Sequence, residues 1–293
     1  MGTMTVINTN ISAIRAAAAS NSATQLMGVA MQRLSTGKRI NSAADDAAGL
    51  AISTTMTAQI DGMQQGVSNS NDGISMAQTA DGALNEVTNM LQRIRQLAVQ
   101  AGSDTYQASD RTAMQTEVSN LTEQISDILN NTAFNGNKLF NVVGTTPATT
   151  DDLKFSIQTG SQSGDAVTLV SKAFDGSALF GTGNTSYSSA ATQSLDVSTT
   201  TAAATTISNV DTALAAVNAT QSGMGAGENR LQSVVSNLTD NITNLTDARS
   251  RIQDTDYSTE TTKMAKAQIL AQASTAMIAQ ANQAQQYVLS LLK

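Results

Sequence analysis

Histidine, cysteine and tryptophan are absent from this chain of 293 residues, and proline occurs once, at Pro147. Without cysteine there can be no disulfide framework, zinc ribbon or thiol nucleophile. Without histidine there can be no Ser-His-Asp triad and no HExxH metal site. The sequence therefore lacks the residues of common catalytic and metal centres, and we expect neither an enzyme nor a bound cofactor.

Basic residues and long apolar runs are also scarce. The chain carries 16 Lys and Arg against 23 Asp and Glu, a net charge of −7 at pH 7. This balance argues against a nucleic-acid binder, because such proteins need a basic patch. No run of about 20 apolar residues is present, so no segment is expected to insert into a membrane. The start of the chain does not resemble a Sec-type signal peptide, so we expect any export to proceed without a cleaved signal.

Apolar residues recur at alternating spacings of three and four through both halves of the chain, which predicts long amphipathic helices. The mean spacing lies near the coiled-coil value of about 3.5. Inner stripes include Leu91, Ile94 and Ala98, then Met114, Val118, Leu121, Ile125 and Ile128, and then Leu231, Val234, Leu238, Ile242 and Leu245. The two terminal stripes are Ile7, Ile11, Ile14 and Ala18, and then Leu270, Ala273, Met277, Ala281, Ala284, Val288 and Leu291.

Local signals predict where several helices begin and end. Gly37 is a predicted C-cap, and Ser42 is a predicted N-cap that places Asp45 and Asp46 in the next first turn. A carboxylate pair for acid–base chemistry is the weaker interpretation, because adjacent helical residues point in different directions. Asp45 could also contribute an ion pair with Arg39 between copies of the chain.

Further breaks are predicted along the rest of the chain. One helix should end at residues 102–104, and the next should start at 109–110. Three glycines within residues 223–227 predict a turn between two helices. Residues 254–256 are expected to join the last two helices.

The middle of the chain differs from both halves. Residues 141–206 are rich in Ser, Thr and Gly, and within them Phe155 and Ile157 alternate with polar residues, as do Val167 and Leu169. This pattern predicts a β-hairpin. The fold class is therefore mainly α, with long antiparallel helices, paired N- and C-terminal helices and a small β insert.

The terminal helices should be weak when isolated. Their stripes contain many alanines, which bury little area, so each helix barely offsets the entropy of ordering its backbone. We expect both ends to order only when packed. They could pair within one chain, or the stripes of neighbouring copies could form a continuous core.

Six blocks of sequence, in this order, resemble bacterial flagellin. They are VINTN at 6–10, LSTGKRINSAADDAAGLAI at 34–52, NNTAFNGNKLF at 130–140, ENRL at 228–231, ARSRIQD at 248–254, and the tail at 281–292.

The resemblance implies a subunit that passes unfolded through a type III export channel and polymerises into the helical, extracellular flagellar filament. It implies five segments that form three parts. Segments 1–44 and 254–293 would form the filament-core part, segments 45–140 and 207–253 the rod part, and segment 141–206 the outer insert. The terminal stripes would form the filament core. The core would be connected to the rod through Leu34, Arg39, Ile40, Asn41, Asp45 and Asp46.

The resemblance also implies partners. They are further copies of the chain, the export apparatus, an export chaperone, and the filament cap and hook-junction proteins. Gln92, Arg93 and Leu97 lie in a segment that resembles the surface read by an innate immune receptor, although Gln96 replaces a Glu that receptor-bound family members often carry. Packing between subunits, with Leu91, Ile94 and Ala98 facing the rod core, is the alternative role.

Three further alternatives stay open. The chain could be a hook–filament junction protein. The insert could bind a glycan or a receptor, for which it offers Phe155, Phe174, Phe180 and Tyr187. The hydroxyls of Ser186, Ser188 and Ser189 could accept O-linked glycans, or they could be simple solvated loop residues.

Overall fold

The computed structural model of the chain describes residues 9–189 and 193–290, and for residues 288–290 it describes the backbone only. Long helices make up most of this part of the molecule, as the apolar spacing predicts. In chain order the elements are α1 (Ile11–Thr36), α2 (Ala47–Ala101), α3 (Ala108–Asn131), β1 (Ala133–Phe134), β2 (Asn137–Lys138), β3 (Val142–Val143), β4 (Leu153–Gln158), β5 (Ala166–Ser171), β6 (Phe174–Asp175), α4 (Gly176–Phe180), α5 (Thr200–Gln253) and α6 (Tyr257–Ser290).

The chain divides into two compact units. The first consists of the residues up to Ile60 together with those from Thr243, and the second comprises Asp61–Ile242. The sequence placed its boundaries at 44/45 and 253/254, near the ends of helices. The division by compactness falls inside α2 and α5 instead, so each of these helices contributes to both units.

In the first unit, α1 packs along α6. The two helices are antiparallel, because the Asn10 side chain donates to the Ala281 carbonyl (3.1 Å) and the Tyr257 hydroxyl donates to the Leu34 carbonyl (2.7 Å). Ala23 is among the residues buried between them. The two ends of one chain therefore pair with each other, as the fold-class prediction states.

In the second unit, α2, α3 and α5 enclose a long apolar core. Leu91 and Ile94 of α2 are fully buried, as are Ile125 of α3 and Leu231 of α5. These residues lie on the predicted inner stripes, so the stripes correctly identified the faces that pack. Polar contacts flank the core, including the Gln78 side chain, which donates to Glu228 at 2.9 Å.

The predicted hairpin is present. Strands β4 and β5 pair antiparallel, with Phe155 opposite Leu169 and Ile157 opposite Val167. The β-containing segment ends earlier than residue 206, because α5 already begins at Thr200. The cause is an N-cap: the Thr199 hydroxyl accepts a hydrogen bond from the Ala202 amide at 3.1 Å.

The turn predicted at residues 223–227 is wrong, because α5 runs through it without a break. The glycines serve a different purpose. A Cβ on Gly227 would overlap the Leu169 side chain, and a Cβ on Gly223 would lie 3.2 Å from the Val170 carbonyl oxygen. These positions therefore admit strand β5 close to the helix, instead of breaking the helix.

The start of α2 also differs from the prediction. The helix begins at Ala47, and Asp46 caps it by accepting from the Gly49 amide at 2.9 Å. Ser42 is therefore not the N-cap, because the turn before α2 is longer than expected. Gly37 does end α1, and its φ of 69° is the left-handed conformation that glycine adopts most easily.

Candidate functional site

The predicted terminal stripes lie on the outside of the α1–α6 pair. Ile14 is 61% exposed and Met277 is 62% exposed. The other predicted stripe residues with exposed side chains are Ile11, Ala18, Leu270, Ala273 and Ala284, whereas Ala281 is half-buried. Ile7 and Leu291 lie outside the described residues, and so does the side chain of Val288. Within one chain these stripes therefore have little cover.

The contact between the two helices uses other residues. Ala23 and Ala30 of α1 are buried, together with Ala267 and Ser274 of α6. Small side chains allow the two backbones to approach closely, but they remove little apolar area from water. The two helices therefore contact each other through small side chains, mainly alanines, and their larger apolar side chains remain exposed to solvent.

Sequence reasoning missed several of these exposed apolar residues. Leu26 is 57% exposed, Met31 50% and Ile269 67%. Leu26, Val29 and Leu270 also line a shallow groove of about 320 Å³ beside the charged residues Arg33, Glu260, Lys263 and Lys266. Leu26, Val29, Met31 and Ile269 were missed because they lie off the single stripe drawn on each helix, and the apolar surface extends beyond that stripe.

The predicted connector is tied to the segment that joins α5 and α6. The Arg39 amide donates to the Gln253 carbonyl and its guanidinium to the Ile252 carbonyl, both at 2.6 Å. The Thr255 amide donates to the Gly37 carbonyl at 3.0 Å. Ile40 is 1% exposed. The segment between α1 and α2 is thus joined to the segment between α5 and α6 by backbone hydrogen bonds.

Asp45 stabilises the turn that precedes α2. Its carboxylate accepts from the amides of Asn41 (3.1 Å) and Ser42 (3.0 Å). These backbone hydrogen bonds, with help from the nearby Arg33 guanidinium, lower the pKa of Asp45 from its usual value. The arrangement fits a carboxylate that is held ionised to stabilise a turn.

Arg39 and Asp45 form no ion pair within this chain. Arg39 is engaged with a carbonyl, whereas Asp45 lies 3.8 Å from Arg33. An Arg39–Asp45 contact between subunits therefore stays a prediction.

The charge cluster at the end of α1 was missed by sequence reasoning. Arg33 lies 3.7 Å from Glu260, whose side chain is only 5% exposed and also accepts from Lys263 at 2.9 Å. Position gave a usable signal, because Arg33 is in the last turn of α1 and Glu260 is in the first turn of α6. Charges of those signs complement the helix dipoles.

On α2, the segment resembling an immune-receptor surface is only partly a surface. Gln92, Arg93 and Gln96 are exposed, but Leu97 is 3% exposed and belongs to the core. The assignment of Leu97 to this surface is therefore wrong. Its position on α2, three residues after the buried Ile94, turns it inward.

The arginines of this segment contact acids of their own chain. Arg93 is paired with Glu117 at 2.7 Å and Arg95 with Asp211 at 2.8 Å. The hydrogen bond to the carboxylate raises the pKa of each arginine. Within one chain these pairs join α2 to α3 and to α5.

The aromatic residues of the insert mostly face inward. Phe174 and Phe180 are buried, and Phe155 and Tyr187 pack against the same core. Phe174 also contacts Phe140 edge to face, with ring centres 5.8 Å apart. Ser186, Ser188 and Ser189 are exposed in a segment without regular structure.

Among residues 9–189 and 193–290, none of the helices combines the length and apolar character needed to cross a bilayer. The same ranges contain no cluster of acidic side chains arranged to hold a metal ion.

Comparison with known families identifies the relationship. A model of the bacterial flagellin N-terminal helical region matches residues 7–145, and a model of the flagellin C-terminal helical region matches residues 207–292. The chain belongs to the flagellin family. The two family regions cover the long helices and leave out most of the insert.

Among curated flagellins, flagellin B of Vibrio cholerae is 48% identical over 163 residues, which is 56% of this chain and 41% of the relative. Polar flagellin F of Vibrio parahaemolyticus is 45% identical over 164 residues, again 56% and 41%. The chain thus aligns with about two fifths of the length of these flagellins.

A chain described as a flagellar hook-associated protein of Vibrio parahaemolyticus has a similar fold. Its TM-score is 0.55 at 14% sequence identity, over 72% of this chain and 100% of that one.

Proposed function

We propose that the protein is a structural subunit that polymerises into the flagellar filament through its terminal helices. The observation that carries this proposal is the exposed apolar surface of the α1–α6 pair. Ile14, Ile269, Leu270 and Met277 are each more than two fifths exposed. Full burial of such a side chain contributes about 1.5–3 kcal/mol, and covering the part that is exposed here would contribute about half of that. Membership of the flagellin family supports the same role.

The polymer must be open, not a closed ring. Head-to-tail contacts between unlike surfaces generate helical filaments when the rotation does not close. The outer side chains of α1 would contact a different surface on the next copy, and the narrow alanine interface within each chain would persist. In this proposal the hydrogen bonds of Asp45 to the amides of Asn41 and Ser42 hold the turn of the connector in one conformation.

Deletion provides the first test. Removal of residues 1–40 or 265–293 should leave a folded, soluble chain, because the core of α2, α3 and α5 does not include them. Neither truncated chain should form filaments in electron micrographs when a precipitating salt or short filament seeds are added. Filaments formed by a truncated chain would refute the proposal.

A finer test replaces single side chains. The double variant Ile14→Ser/Leu270→Ser should assemble poorly, with a critical concentration raised by about tenfold or more. Asn21→Ser/Gln272→Ser is the matched control, because both residues are exposed polar positions of the same two helices. Equal assembly of the two variants would contradict a role for the apolar side chains.

A hook–filament junction protein is the second candidate, supported only by the shared fold of the hook-associated chain. The relatives named flagellin favour the filament subunit over it. A junction protein should stay monomeric and fail to extend seeds, whereas a filament subunit should form long uniform polymers alone.

A glycan- or receptor-binding role for the insert has less support. Such a site needs accessible aromatic side chains, and Phe174 and Phe180 are buried. Measured binding of a glycan to the full chain would support this role. The exposed Ser186, Ser188 and Ser189 remain proposed O-glycosylation sites, for which mass spectrometry of native protein is the test.

The remaining partners are part of the same proposal. The chain would be exported unfolded by the flagellar type III apparatus with a dedicated chaperone, and it would meet the cap and hook-junction proteins outside the cell. Structural roles of this kind require no catalysis. Exposed Gln92, Arg93 and Gln96 would contact a neighbouring subunit or an innate immune receptor, the latter weakly because Gln96 is uncharged.

A further inference from the structure

The ten methionines in the described part of the chain divide sharply by exposure. Met76 (6% exposed) and Met224 (1%) are buried in the core, and most of the others are half-buried. Met31 (50%) and Met277 (62%) are the two that stand exposed in these ranges. Both lie on the terminal pair, one on α1 and one on α6.

Sulfur chemistry in this chain is confined to methionine, because the sequence contains no cysteine. An oxidant that reaches the protein has no thiol to consume it first. Exposure then decides which thioethers react. Met31 and Met277 are the most accessible of those described, and the surface that carries them is the one assigned above to assembly.

We propose that Met31 and Met277 are oxidation sites through which a peroxide blocks assembly of the free subunit. This inference rests on the proposed function. In the reaction, a sulfur lone pair attacks one oxygen of hydrogen peroxide, forming an S–O bond as the O–O bond breaks. The sulfur loses two electrons and becomes a sulfoxide, while the hydroxyl proton of the transferred oxygen moves to the other oxygen, which leaves as water.

Oxidation changes the polarity of the methionine side chain. A sulfoxide converts a flexible apolar side chain into a polar one that accepts hydrogen bonds. Met277 lies seven residues after Leu270, so the two share one face of α6 and would be covered together. Burial of a polar group without a hydrogen-bond partner is unfavourable. Oxidised subunits should therefore add to a filament poorly, whereas subunits already in the filament should be protected by burial.

The test compares assembly of the full-length chain before and after mild treatment with hydrogen peroxide. Peptide mapping should find sulfoxide mainly at Met31 and Met277 and little at Met76 and Met224. Oxidised wild type should assemble about tenfold less well than its untreated sample. Methionine sulfoxide reductase should restore assembly, which separates this effect from irreversible damage.

Two variants localise the effect, each normalised to its own untreated assembly. Met31→Leu/Met277→Leu should lose little assembly on oxidation, because leucine does not react. Met27→Leu/Met264→Leu, which alters half-buried methionines of the same helices, should be inhibited as strongly as wild type.

The outcomes separate the two proposals. Failure of untreated wild type to form filaments would refute the proposed function, and this inference with it. Normal assembly of oxidised wild type, with sulfoxide mapped at Met31 and Met277, would refute the inference alone. Equal inhibition of both leucine variants would also refute it.

Discussion

Single residues of α2 show how burial and exposure separate the positions of one helix. Leu91 is fully buried, whereas Val99, about two turns later, is 55% exposed. Leu91→Ala should lower the free energy of unfolding by about 2–5 kcal/mol, because it leaves a cavity in a packed core. Val99→Ala should change it by less than about 0.5 kcal/mol. Denaturant unfolding of both variants is the measurement, and similar losses would contradict the burial described.

Asp45 provides a prediction that depends on pH. Its pKa is lowered in the folded chain by the amides of Asn41 and Ser42. A lowered folded pKa means that ionised Asp45 stabilises the fold above the unfolded pKa, and that this contribution is lost as pH falls through the folded pKa. Asp45→Asn should therefore be less stable than wild type at neutral pH, and the gap should narrow at acidic pH.

The measurement for Asp45 is thermal unfolding at about pH 7 and about pH 3. Asp61→Asn is the control, because the exposed side chain of Asp61 forms no hydrogen bond or ion pair among residues 9–189 and 193–290. A gap between wild type and Asp45→Asn that widened on acidification would show that the sign of the effect is wrong.

At the scale of elements, the β4–β5 hairpin depends on glycines in the long helices. A Cβ on Gly66 of α2 would overlap the Thr159 carbonyl just after β4, and a Cβ on Gly227 of α5 would overlap Leu169 of β5. Gly82 of α2 and Gly225 of α5 face open space. Glycine therefore allows close packing at Gly66 and Gly227, whereas no neighbouring atom requires a glycine at Gly82 and Gly225.

Alanine substitution should reveal this difference. Gly66→Ala and Gly227→Ala should each destabilise the chain by about 1–3 kcal/mol, because backbone or core atoms must move. Gly82→Ala and Gly225→Ala should each stabilise it by about 0.5–1 kcal/mol through better helix propensity. Unfolding midpoints of the four variants are the measurement. Destabilisation by all four would show that the hairpin contact is not the cause.

At the scale of the whole molecule, the two compact units differ in how their helices are held. The second unit buries large side chains such as Leu84, Ile94 and Phe180, whereas the α1–α6 interface buries mainly alanines. Local opening is governed by such differences in buried apolar contact. We therefore expect stability to be uneven along the chain.

Hydrogen exchange should detect this unevenness. In the monomer, amides of α1 and α6 should exchange much faster than those around Leu91, and in filaments they should become protected. The comparison of monomer and polymer is its own control, because the amides around Leu91 should change little. Equal protection of the terminal helices in both states would mean that assembly adds no cover to them.

Most of the architecture follows from local patterns in the amino-acid sequence. Periodic apolar residues fixed the helical class and the inner core, as Leu91 and Leu231 show. Alternation fixed the hairpin, and Gly37 fixed the end of α1. These features depend on local geometry, which the order of residues encodes directly.

Other features depend on contacts between elements that are distant in the sequence. Glycines at 223–227 predicted a break, but contact with β5 makes them part of a continuous helix. The terminal stripes predicted a packed face, but in one chain the alanine faces meet and the stripes stay exposed. Spacing shows that residues share a face, whereas what covers that face depends on elements distant in sequence or on another copy of the chain.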